Sequence, residues 1–571
     1  MSTLALPSDF KSNVSAGDIH TLAKKYNVEI RPGPDQDAYL LLLQSAEALH
    51  GILNDSTDYI HADLEPVPTT QPRSYCKVPE QEDPLNAWSH ACEISAASPT
   101  GSLLAARSVV LKDNISVAGL PTTLGLPDSF HKNGKYEPSP IDATVVRRLL
   151  LAGATIKGTA VCESYSAAPV SFTASSGAVQ NPWAAGHTAG GSSSGCAALI
   201  GQNATTTTTA ATAATAAATT PKSRTVELAI GGDQGGSIRL PAAYTGIYGL
   251  KPTHGLVPYT GAVSLTPMID HLGPMAGTVE DIAVMLRVLA GYDGIDARMT
   301  PESPLPAQVK DYPAILETFK QEAKAGSGKI VMKVGLLKEG FDFPGLSDEV
   351  RDTVLKNAKQ YFTAAGADVI EVSVPMHREG PAIWTVAART SLSDFGLSSR
   401  PPGFLSYQPP HIDVQWPPTQ EMFDHLTPTN PTIMNLIFST DYVREVYGTS
   451  VEFKAHRKVF ELRAAYNKAF QEVDVLITPT VPTVAFPFPD STCGGTKHGE
   501  IHDRVKAAVG LSYNTCAFNV TGHPAMNVPC GFGTGSQGHQ LPIGMQVIGR
   551  RWDDEAVLKA AALFEMGGIA T

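Results

Sequence analysis

The residues best suited to catalytic chemistry lie in a glycine-rich stretch within residues 227–253. A short apolar run that ends at Ile230 predicts a strand, and seven residues follow it directly: Gly231, Gly232, Asp233, Gln234, Gly235, Gly236 and Ser237. Glycine reaches backbone conformations closed to other residues, and such a turn can point successive N–H groups at one anion. Ser237 ends the turn, where a nucleophile would share that anion hole. In isolation, a plain turn with a solvated serine explains the same pattern.

A second stretch, G-G-S-S-S-G at residues 190–195, precedes the helical segment C-A-A-L-I. It contains G-x-S-x-G at Gly191, Ser193 and Gly195, the pattern that presents a nucleophile after a buried strand in α/β-hydrolases. The preceding residues, A-A-G-H-T-A-G, do not predict a strand, so we disfavour this nucleophile elbow. The run is also too short and too tightly flanked for a flexible linker.

A lysine follows a buried strand in S-V-V-L-K-D-N-I, which ends the strand at Lys112. Most such lysines are snorkelling or paired surface residues. Burial lowers the pKa of a lysine, however, and a neutral amine can serve as a base. A lysine at a strand end, a Gly/Ser run and a glycine-rich turn that ends in serine together suggest a Ser/Lys hydrolase. His523 in T-G-H-P has no carboxylate partner in the sequence and is interpreted as structural.

The elements that must position these residues alternate between strands and helices. An amphipathic helix over residues 142–152 precedes the strand A-T-I-K-G-T-A, and residues 333–337, 348–365 and 368–374 are predicted as strand, helix and strand. This βαβ pattern predicts an α/β fold. Thr278 is expected to cap a further helix that Gly291 ends.

Two segments are expected to be loops. Residues 203–225 are low in complexity, rich in Thr and Ala, and predict a solvent-exposed loop between the two serine-bearing stretches; a helix over the mouth of a pocket is the alternative. Residues 376–450 are rich in Pro and aromatic residues, and predict long loops that wall a pocket or form an ordinary surface excursion.

The N-terminal part of the chain is predicted to be a separate helical segment, residues 1–80, ahead of a catalytic domain at residues 81–571. Residues 18–28 and 37–53 show helical apolar spacing, and the second contains four consecutive leucines at positions 40–43. These are too many for one solvent-facing stripe, so the helix is either buried against the core or paired with a second copy of the chain.

Composition narrows the class of protein. The 571 residues carry a net charge of −12 without a basic stripe, which argues against a nucleic-acid partner. The seven cysteines are scattered and form neither a disulfide framework nor a zinc ribbon, so we expect reduced thiols in a cytoplasmic protein. The sequence starts without the apolar segment of a secretory signal, and no apolar run is long enough to cross a membrane.

The chain resembles the amidase signature family over roughly residues 80–570. The motifs that carry the resemblance are K-D-N-I-S-V-A-G-L-P-T-T at 112–123, A-G-G-S-S-S-G-C-A-A-L at 189–199, A-I-G-G-D-Q-G-G-S-I-R-L-P-A at 229–242, and the C-terminal F-N-V-T-G-H-P-A and L-P-I-G-M-Q-V-I-G. The resemblance implies a mixed, twisted β-sheet with helices on both faces, plus the N-terminal helical extension. It implies no cofactor and no metal.

The resemblance also assigns roles. Ser237 becomes the nucleophile, Ser192, after a cis peptide bond, the bridging serine, and Lys112 the base of a Ser–cis-Ser–Lys triad. The implied oxyanion hole consists of the N–H groups of Gln234, Gly235, Gly236 and Ser237, and the supporting residues are Ser193, Asp233 and Arg239. The chain departs from the family pattern at Ser194, where glycine is usual, and in the insertion at residues 203–225.

The implied activity is hydrolysis of small aliphatic or aromatic amides through an acyl-enzyme, with release of ammonia or an amine. Carbamates such as ethyl carbamate are a variant that the same residues would serve. A glutaminase-type subunit of a transamidating complex and a non-catalytic binding protein on the same fold are the alternatives. The sequence cannot choose the substrate, because the selecting pocket lies in variable segments.

Overall fold

The computed structural model describes residues 10–209, 225–325, 332–489 and 497–570. The chain divides into two units, Met1–Ala62 and Asp63–Thr571. The boundary lies ahead of the expected one near residue 80, because residues 63–80 pack within the second unit. There Val67 joins the main core, and Arg73 pairs with the buried Asp142 at 2.6 Å.

The first unit contains the two predicted helices, α1 (Ala16–Lys25) and α2 (Pro34–Asn54). Pro34 stands in the first turn of α2, where the missing N–H of proline breaks no helical bond. Within this unit, the backbone N–H of Asn13 donates to Glu47 of α2 at 3.2 Å.

A mixed sheet of twelve strands forms the centre of the second unit, and two further strands form a separate ribbon. In chain order the strands are β1 (Tyr75–Cys76), β2 (Trp88–Ser95), β3 (Ser108–Lys112), β4 (Thr155–Ala160), β5 (Gln180–Asn181), β6 (Ala184–Thr188), β7 (Leu228–Gly232), β8 (Tyr248–Lys251), β9 (Leu272–Ala276), β10 (Lys333–Leu337), β11 (Asp368–Val372), β12 (Val475–Pro479), β13 (Ala525–Thr534) and β14 (Gln540–Gly549). The large sheet has the order β1-β2-β4-β3-β7-β9-β8-β13-β14-β12-β10-β11. Strands β4, β3 and β7 run parallel to one another, as do β12, β10 and β11, and the remaining neighbours are antiparallel.

Thirteen helices follow in the described ranges of the second unit: α3 (Thr144–Leu151), α4 (Ser194–Thr209), α5 (Arg239–Thr245), α6 (Val279–Leu289), α7 (Tyr312–Ala325), α8 (Asp348–Ala364), α9 (Gly380–Ser391), α10 (Gln420–Thr429), α11 (Pro431–Tyr447), α12 (Ser450–Ala469), α13 (Lys497–Ala508), α14 (Cys516–Thr521) and α15 (Asp554–Ala570). The predicted cap of α6 is present, since the Thr278 hydroxyl accepts the N–H of Asp281 at 3.2 Å.

The sheet is covered by helices on both faces. Alternate residues of β3 enter different cores: Val109 and Leu111 pack with helices α3, α6, α8 and α15, whereas Val110 packs with α4. Because successive side chains of a strand point to opposite faces, a strand buried on both sides shows a continuous apolar run. This explains why S-V-V-L was recognisable, and it confirms the predicted mixed α/β architecture.

Three sequence-based predictions need correction. Residues 203–209 continue helix α4 rather than starting a loop, since alanine favours helix and Asn203 anchors this turn by donating to the Val226 carbonyl at 2.7 Å. The rest of that predicted loop, residues 210–224, lies outside the described residues. The A-A-G-H-T segment is a strand after all, β6, but it pairs with β5 in the small ribbon and not in the central sheet.

The third correction concerns residues 376–450, which are mostly helical and not looped. Helices α9, α10 and α11 occupy them, with a π-helical turn at Leu392–Leu397. The prolines that favoured loops stand in the first turns of α9 and α11, Pro381 and Pro431, where a proline is tolerated.

Candidate active site

The candidate site is built at one edge of the sheet by three neighbouring parallel strands. Strand β3 ends in Lys112, β7 leads into the glycine-rich turn, and β4 ends two residues before Cys162 and Glu163. Leu111 of β3 lies opposite both Ile230 of β7 and Thr159 of β4. Because parallel strands share the edge at which their carboxyl ends emerge, the residues that follow them meet there.

Lys112 is fully buried, and its Nζ donates to the Ser192 hydroxyl at 2.8 Å and to the Gly232 carbonyl at 3.5 Å. Burial lowers the pKa of this amine. Among the described residues, no carboxylate forms an ion pair with it. The surroundings therefore favour the neutral amine, the form that can accept a proton.

Ser192 lies at the N-terminal end of α4, and the Gly191–Ser192 peptide bond is cis. Its hydroxyl donates to the Ser166 carbonyl at 2.6 Å and accepts from Lys112. A side chain at Gly191 would meet the Val170 carbonyl at 2.1 Å, so only glycine fits at this position. In the described part of the chain, no hydrogen bond joins the hydroxyls of Ser192 and Ser237. Proton passage between them therefore requires a turn of one hydroxyl.

Ser193 joins the start of α4 to the glycine-rich turn. Its hydroxyl donates to the Gly232 carbonyl and accepts the Gly232 N–H, both at 3.2 Å, and its own N–H donates to the Ser237 carbonyl at 3.2 Å. These bonds connect the segments that carry the two candidate catalytic serines, although many residues separate them in the sequence.

The glycine-rich turn has its carbonyls bound and most of its N–H groups free. The Gln234 carbonyl accepts from Trp384 Nε1 at 2.9 Å, that of Gly235 from the Thr515 hydroxyl at 2.5 Å, that of Gly236 from the Leu240 N–H at 2.7 Å, and that of Ser237 from Ser193. Among the described residues, the N–H groups of Gln234, Gly235 and Ser237 have no acceptor. This asymmetry is what an anion hole requires.

One member of the expected oxyanion hole is engaged elsewhere. The N–H of Gly236 donates to the Asp233 carboxylate at 2.8 Å, so it is not free to bind an anion in this arrangement. The backbone at Gly236 has φ +139, and a side chain there would lie 2.0 Å from Leu240. Gly236 therefore shapes the turn, and the available donors are those of Gln234, Gly235 and Ser237.

Asp233 and Arg239 form a completely buried ion pair, 2.9 Å between Nη2 and Oδ1, that holds the turn from behind. Burial opposes ionisation of Asp233, but Arg239 outweighs it and holds the pKa of the carboxyl well below its usual range. The remaining guanidinium N–H groups donate to the Thr515 carbonyl, the Asn519 side chain and the Gln546 side chain at 2.7–3.0 Å. With its donors satisfied, the pair meets the condition under which a buried charge is tolerated.

Glu163 is a buried residue of the site that the sequence analysis missed. Its carboxylate accepts from the Ser194 hydroxyl at 2.7 Å and from the Thr173 N–H and hydroxyl at 2.7 and 2.6 Å, and its N–H donates to the Ser192 carbonyl at 3.3 Å. Burial raises its pKa to about 7, against these hydrogen bonds. Its position just past the predicted strand A-T-I-K-G-T-A was a usable signal. Ser194, the departure from the family pattern, is the residue that binds it.

A cavity of about 380 Å³ opens beside the turn. Its wall contains the turn itself, apolar side chains, a few polar groups and one arginine: Gly191, Gln234, Gly235, Gly236, Ser237, Leu265, Trp384, Arg389, Leu392, Leu436, Tyr513 and Cys516 are among them. Residues 376–450 therefore wall the cavity as expected, but with helices α9 and α11 rather than loops.

Other candidate features lie apart from this cavity. His523 is buried, and its ring nitrogens contact the Thr521 hydroxyl at 2.9 Å and the Asn467 side chain at 3.2 Å, which fits the structural interpretation. The described residues contain no cluster of histidine, cysteine and acidic side chains suited to a metal ion. In the same part of the chain, no helix combines the length and the apolar character that a bilayer crossing needs.

Comparison with known proteins agrees with the geometry. A protein-family model described as Amidase matches residues 81–210 and 213–558. An enantioselective amidase from Rhodococcus rhodochrous is 36% identical over 502 residues, which cover 87% of this chain and 86% of that protein. The A-type chain of the glutamyl-tRNA(Gln) amidotransferase from a Synechococcus species is 32% identical over 482 residues, with coverages of 83% and 85%. The chain belongs to the amidase signature family.

Solved structures show the same fold. A bacterial aryl acylamidase of the amidase signature family superposes with a TM-score of 0.60 at 24% identity, over 86% of this chain and 90% of that one. The corresponding A-type chain of the glutamyl-tRNA(Gln) amidotransferase from Thermotoga maritima gives 0.62 at 24% identity, over 84% and 87%. The family and the fold are thus those of amide-hydrolysing enzymes.

Proposed function

We propose that this protein is a serine hydrolase that cleaves the C–N bond of small aliphatic or aromatic amides through an acyl-enzyme, with Ser237 as nucleophile, Ser192 as bridge and Lys112 as base. The observation that supports the proposal most directly is the meeting of a buried amine, a serine hydroxyl and three free N–H groups at the wall of one cavity. Each of these groups has a chemical part in acyl transfer.

In the first half-reaction, the Ser237 hydroxyl attacks the amide carbonyl carbon. Its proton passes to Ser192, and the Ser192 proton passes to the neutral Nζ of Lys112. The negative charge that develops on the carbonyl oxygen is stabilised by the N–H groups of Gln234, Gly235 and Ser237. The C–N bond then breaks, the nitrogen takes the proton from Lys112 through Ser192, and ammonia or an amine leaves.

In the second half-reaction, water attacks the ester that joins the acyl group to Ser237. The same relay takes the water proton and returns a proton to the serine oxygen as the carboxylic acid departs. Asp233, Arg239 and Ser193 act only through the shape of the turn. The atoms and protons of both half-reactions balance with the amide and water alone.

The test is ammonia release by the purified full-length chain from benzamide, propionamide and ethyl carbamate. Turnover of the two amides supports the proposal, and turnover of ethyl carbamate extends it to urethanes. Absence of ammonia from all three, in protein with a cooperative unfolding transition, would favour a non-catalytic binding role.

A glutaminase-type role is the second candidate, because a relative at 32% identity belongs to a glutamyl-tRNA(Gln) amidotransferase. The discriminating experiment adds glutamine to the same assay. Ammonia from glutamine alone, stimulated by partner proteins, would favour the transamidating role. Hydrolysis of simple amides by the isolated chain favours the amidase.

We also propose that two copies of the chain associate through the N-terminal helices. Leu41 and Leu42 of α2 are 42% and 39% exposed, and Leu53 is 75% exposed. Sedimentation of the chain at micromolar concentration should give a dimer, and Leu41→Glu with Leu42→Glu should give a monomer. Leu405→Glu, at a 90% exposed position elsewhere, is the matched control. A monomeric wild-type protein would contradict this proposal.

The cysteines support a reducing compartment, and we propose the cytosol. All six that the structure describes are free thiols, and four of these are buried. Free thiols persist where the redox poise keeps them reduced.

A further inference from the structure

Arg389 is the feature of the cavity that the proposed reaction does not use. It lies on α9, the helix that also presents Pro381, Thr385 and Trp384 to the cavity. Among the described residues that line the cavity, it is the only one that carries a charge.

The guanidinium of Arg389 has few protein partners. One nitrogen donates to the Ser439 hydroxyl of α11, and within the described chain no carboxylate forms an ion pair with it. Two other arginines with little exposure are matched with acids: Arg239 with Asp233, and Arg298 with Asp270 and Asp296. A guanidinium carries five N–H donors, so most of those on Arg389 face the cavity or solvent without a protein acceptor. Burial lowers its pKa, a sign of partial desolvation.

The position of Arg389 relative to the reacting atoms follows from helix geometry. Trp384 of the same helix donates to the Gln234 carbonyl at 2.9 Å, which fixes the level of the anion hole along α9. Arg389 lies five residues further on, about 7.5 Å along the helix axis. The apolar side chains of Leu265, Leu392 and Leu436 also line this cavity. An amide held in the anion hole can thus lay an apolar body on the wall and place its far end at the guanidinium.

We propose that Arg389 binds a carboxylate of the substrate, so that the preferred substrates are amides that carry a carboxylate several bonds from the scissile C–N bond. The planar guanidinium matches a carboxylate in a two-pronged hydrogen bond, and partial desolvation strengthens that bond. This inference rests on the proposed amide hydrolysis and narrows its substrate class.

The experiment compares matched amides that differ only in this charge. Succinamate, glutaramate and adipamate are paired with 4-methylpentanamide, 5-methylhexanamide and 6-methylheptanamide, in which an isopropyl group replaces the carboxylate. We expect at least one anion to exceed its partner by about tenfold or more in kcat/KM, mainly through a lower KM, since a charge-assisted hydrogen bond contributes about that factor. Arg389→Met should abolish the preference and Arg389→Lys should keep part of it. Arg457→Met, at an exposed arginine of α12, is the matched control and should leave it unchanged.

The outcomes separate this inference from the proposed function. If the isopropyl amides are hydrolysed as well as the anions, or if Arg389→Met keeps the preference, the carboxylate site is refuted while the amidase remains. Should no amide be hydrolysed, titration calorimetry of glutaramate into Ser237→Ala and into Ser237→Ala with Arg389→Met still decides the point: binding must be present in the first and lost in the second. If Arg389→Met does not fold, the same comparison uses Arg389→Lys.

Discussion

At the scale of single residues, the strongest claim concerns Ser237. Ser237→Ala should lower kcat by about a thousandfold or more, as removal of the nucleophile does in other serine hydrolases, while the unfolding midpoint stays unchanged. A methyl group fits because, in the described chain, the hydroxyl has no hydrogen-bond partner to lose. Retention of even a tenth of the wild-type rate would mean that another group is the nucleophile.

Lys112 makes a prediction about pH. Because burial lowers its pKa, the fraction of neutral amine increases as pH rises through that lowered value, and kcat/KM should increase with it and then level off. Lys112→Arg should stay inactive at every pH, since arginine cannot lose its proton. Recovery of activity by Arg would instead assign Lys112 an electrostatic role. The measurement is a pH–rate profile of both proteins on one amide.

Glu163 makes a prediction about stability. Its pKa is raised in the folded protein to about 7, so the folded state holds a proton that the unfolded chain, with a glutamate pKa near 4.3, releases earlier. Stability contributed by the neutral form is present at low pH and is lost as pH rises to about 7. Relative to wild type, Glu163→Gln should therefore gain in unfolding midpoint from roughly pH 4.3 to 7 and then hold constant. Parallel curves would show that Glu163 is ionised throughout.

At the scale of elements, helix α9 supports the anion hole through one bond. Trp384→Phe keeps an aromatic wall but removes the indole N–H from the Gln234 carbonyl. We expect kcat to fall about tenfold, with KM nearly unchanged, because the turn loosens where charge develops. The control is Trp552→Phe, which removes an indole hydrogen bond to Glu302 at the surface. A change confined to KM would point to substrate contact instead.

The elements also show how far sequence reasoning reaches. Strand β3, helix α6 with its Thr278 cap, and the β10, α8, β11 unit were predictable, because each combines a clear apolar period with a local start or stop signal. Helices α9 to α11 were not, since Pro381 and Pro431 look the same in a loop and in the first turn of a helix. Ser192 and Ser237 were identified by resemblance, but the contacts around them depend on residues far away in the chain.

Glu163 and Arg389 illustrate the same limit from the side of the site. A single glutamate after a strand has no periodic signature, and only its bonds to Ser194 and Thr173 reveal its role. Arg389 is distinguished by acceptors that it lacks in the described structure. Missing partners leave no trace in a sequence.

At the scale of the whole molecule, the two units have separate tasks. All residues of the site and of the cavity wall belong to Asp63–Thr571. A chain that begins at Asp63 should therefore fold, keep kcat within a few-fold on simple amides, and sediment as a monomer if α1 and α2 form the dimer. Loss of activity in a folded, truncated protein would show that the N-terminal helices contribute to the site. Sedimentation and ammonia release on the same preparation provide the check.

The bonds that hold Arg239 also set when, during synthesis, the site can exist. A ribosome-bound chain that ends before Thr515 already contains the catalytic residues, but it lacks Thr515, Asn519 and Gln546, which hold the Asp233–Arg239 pair and the Gly235 carbonyl. In such a nascent chain, the guanidinium is without most of its acceptors and the turn is without one of its anchors. The catalytic residues are therefore made early and assembled last, so the growing polypeptide stays inert until its final strands have emerged.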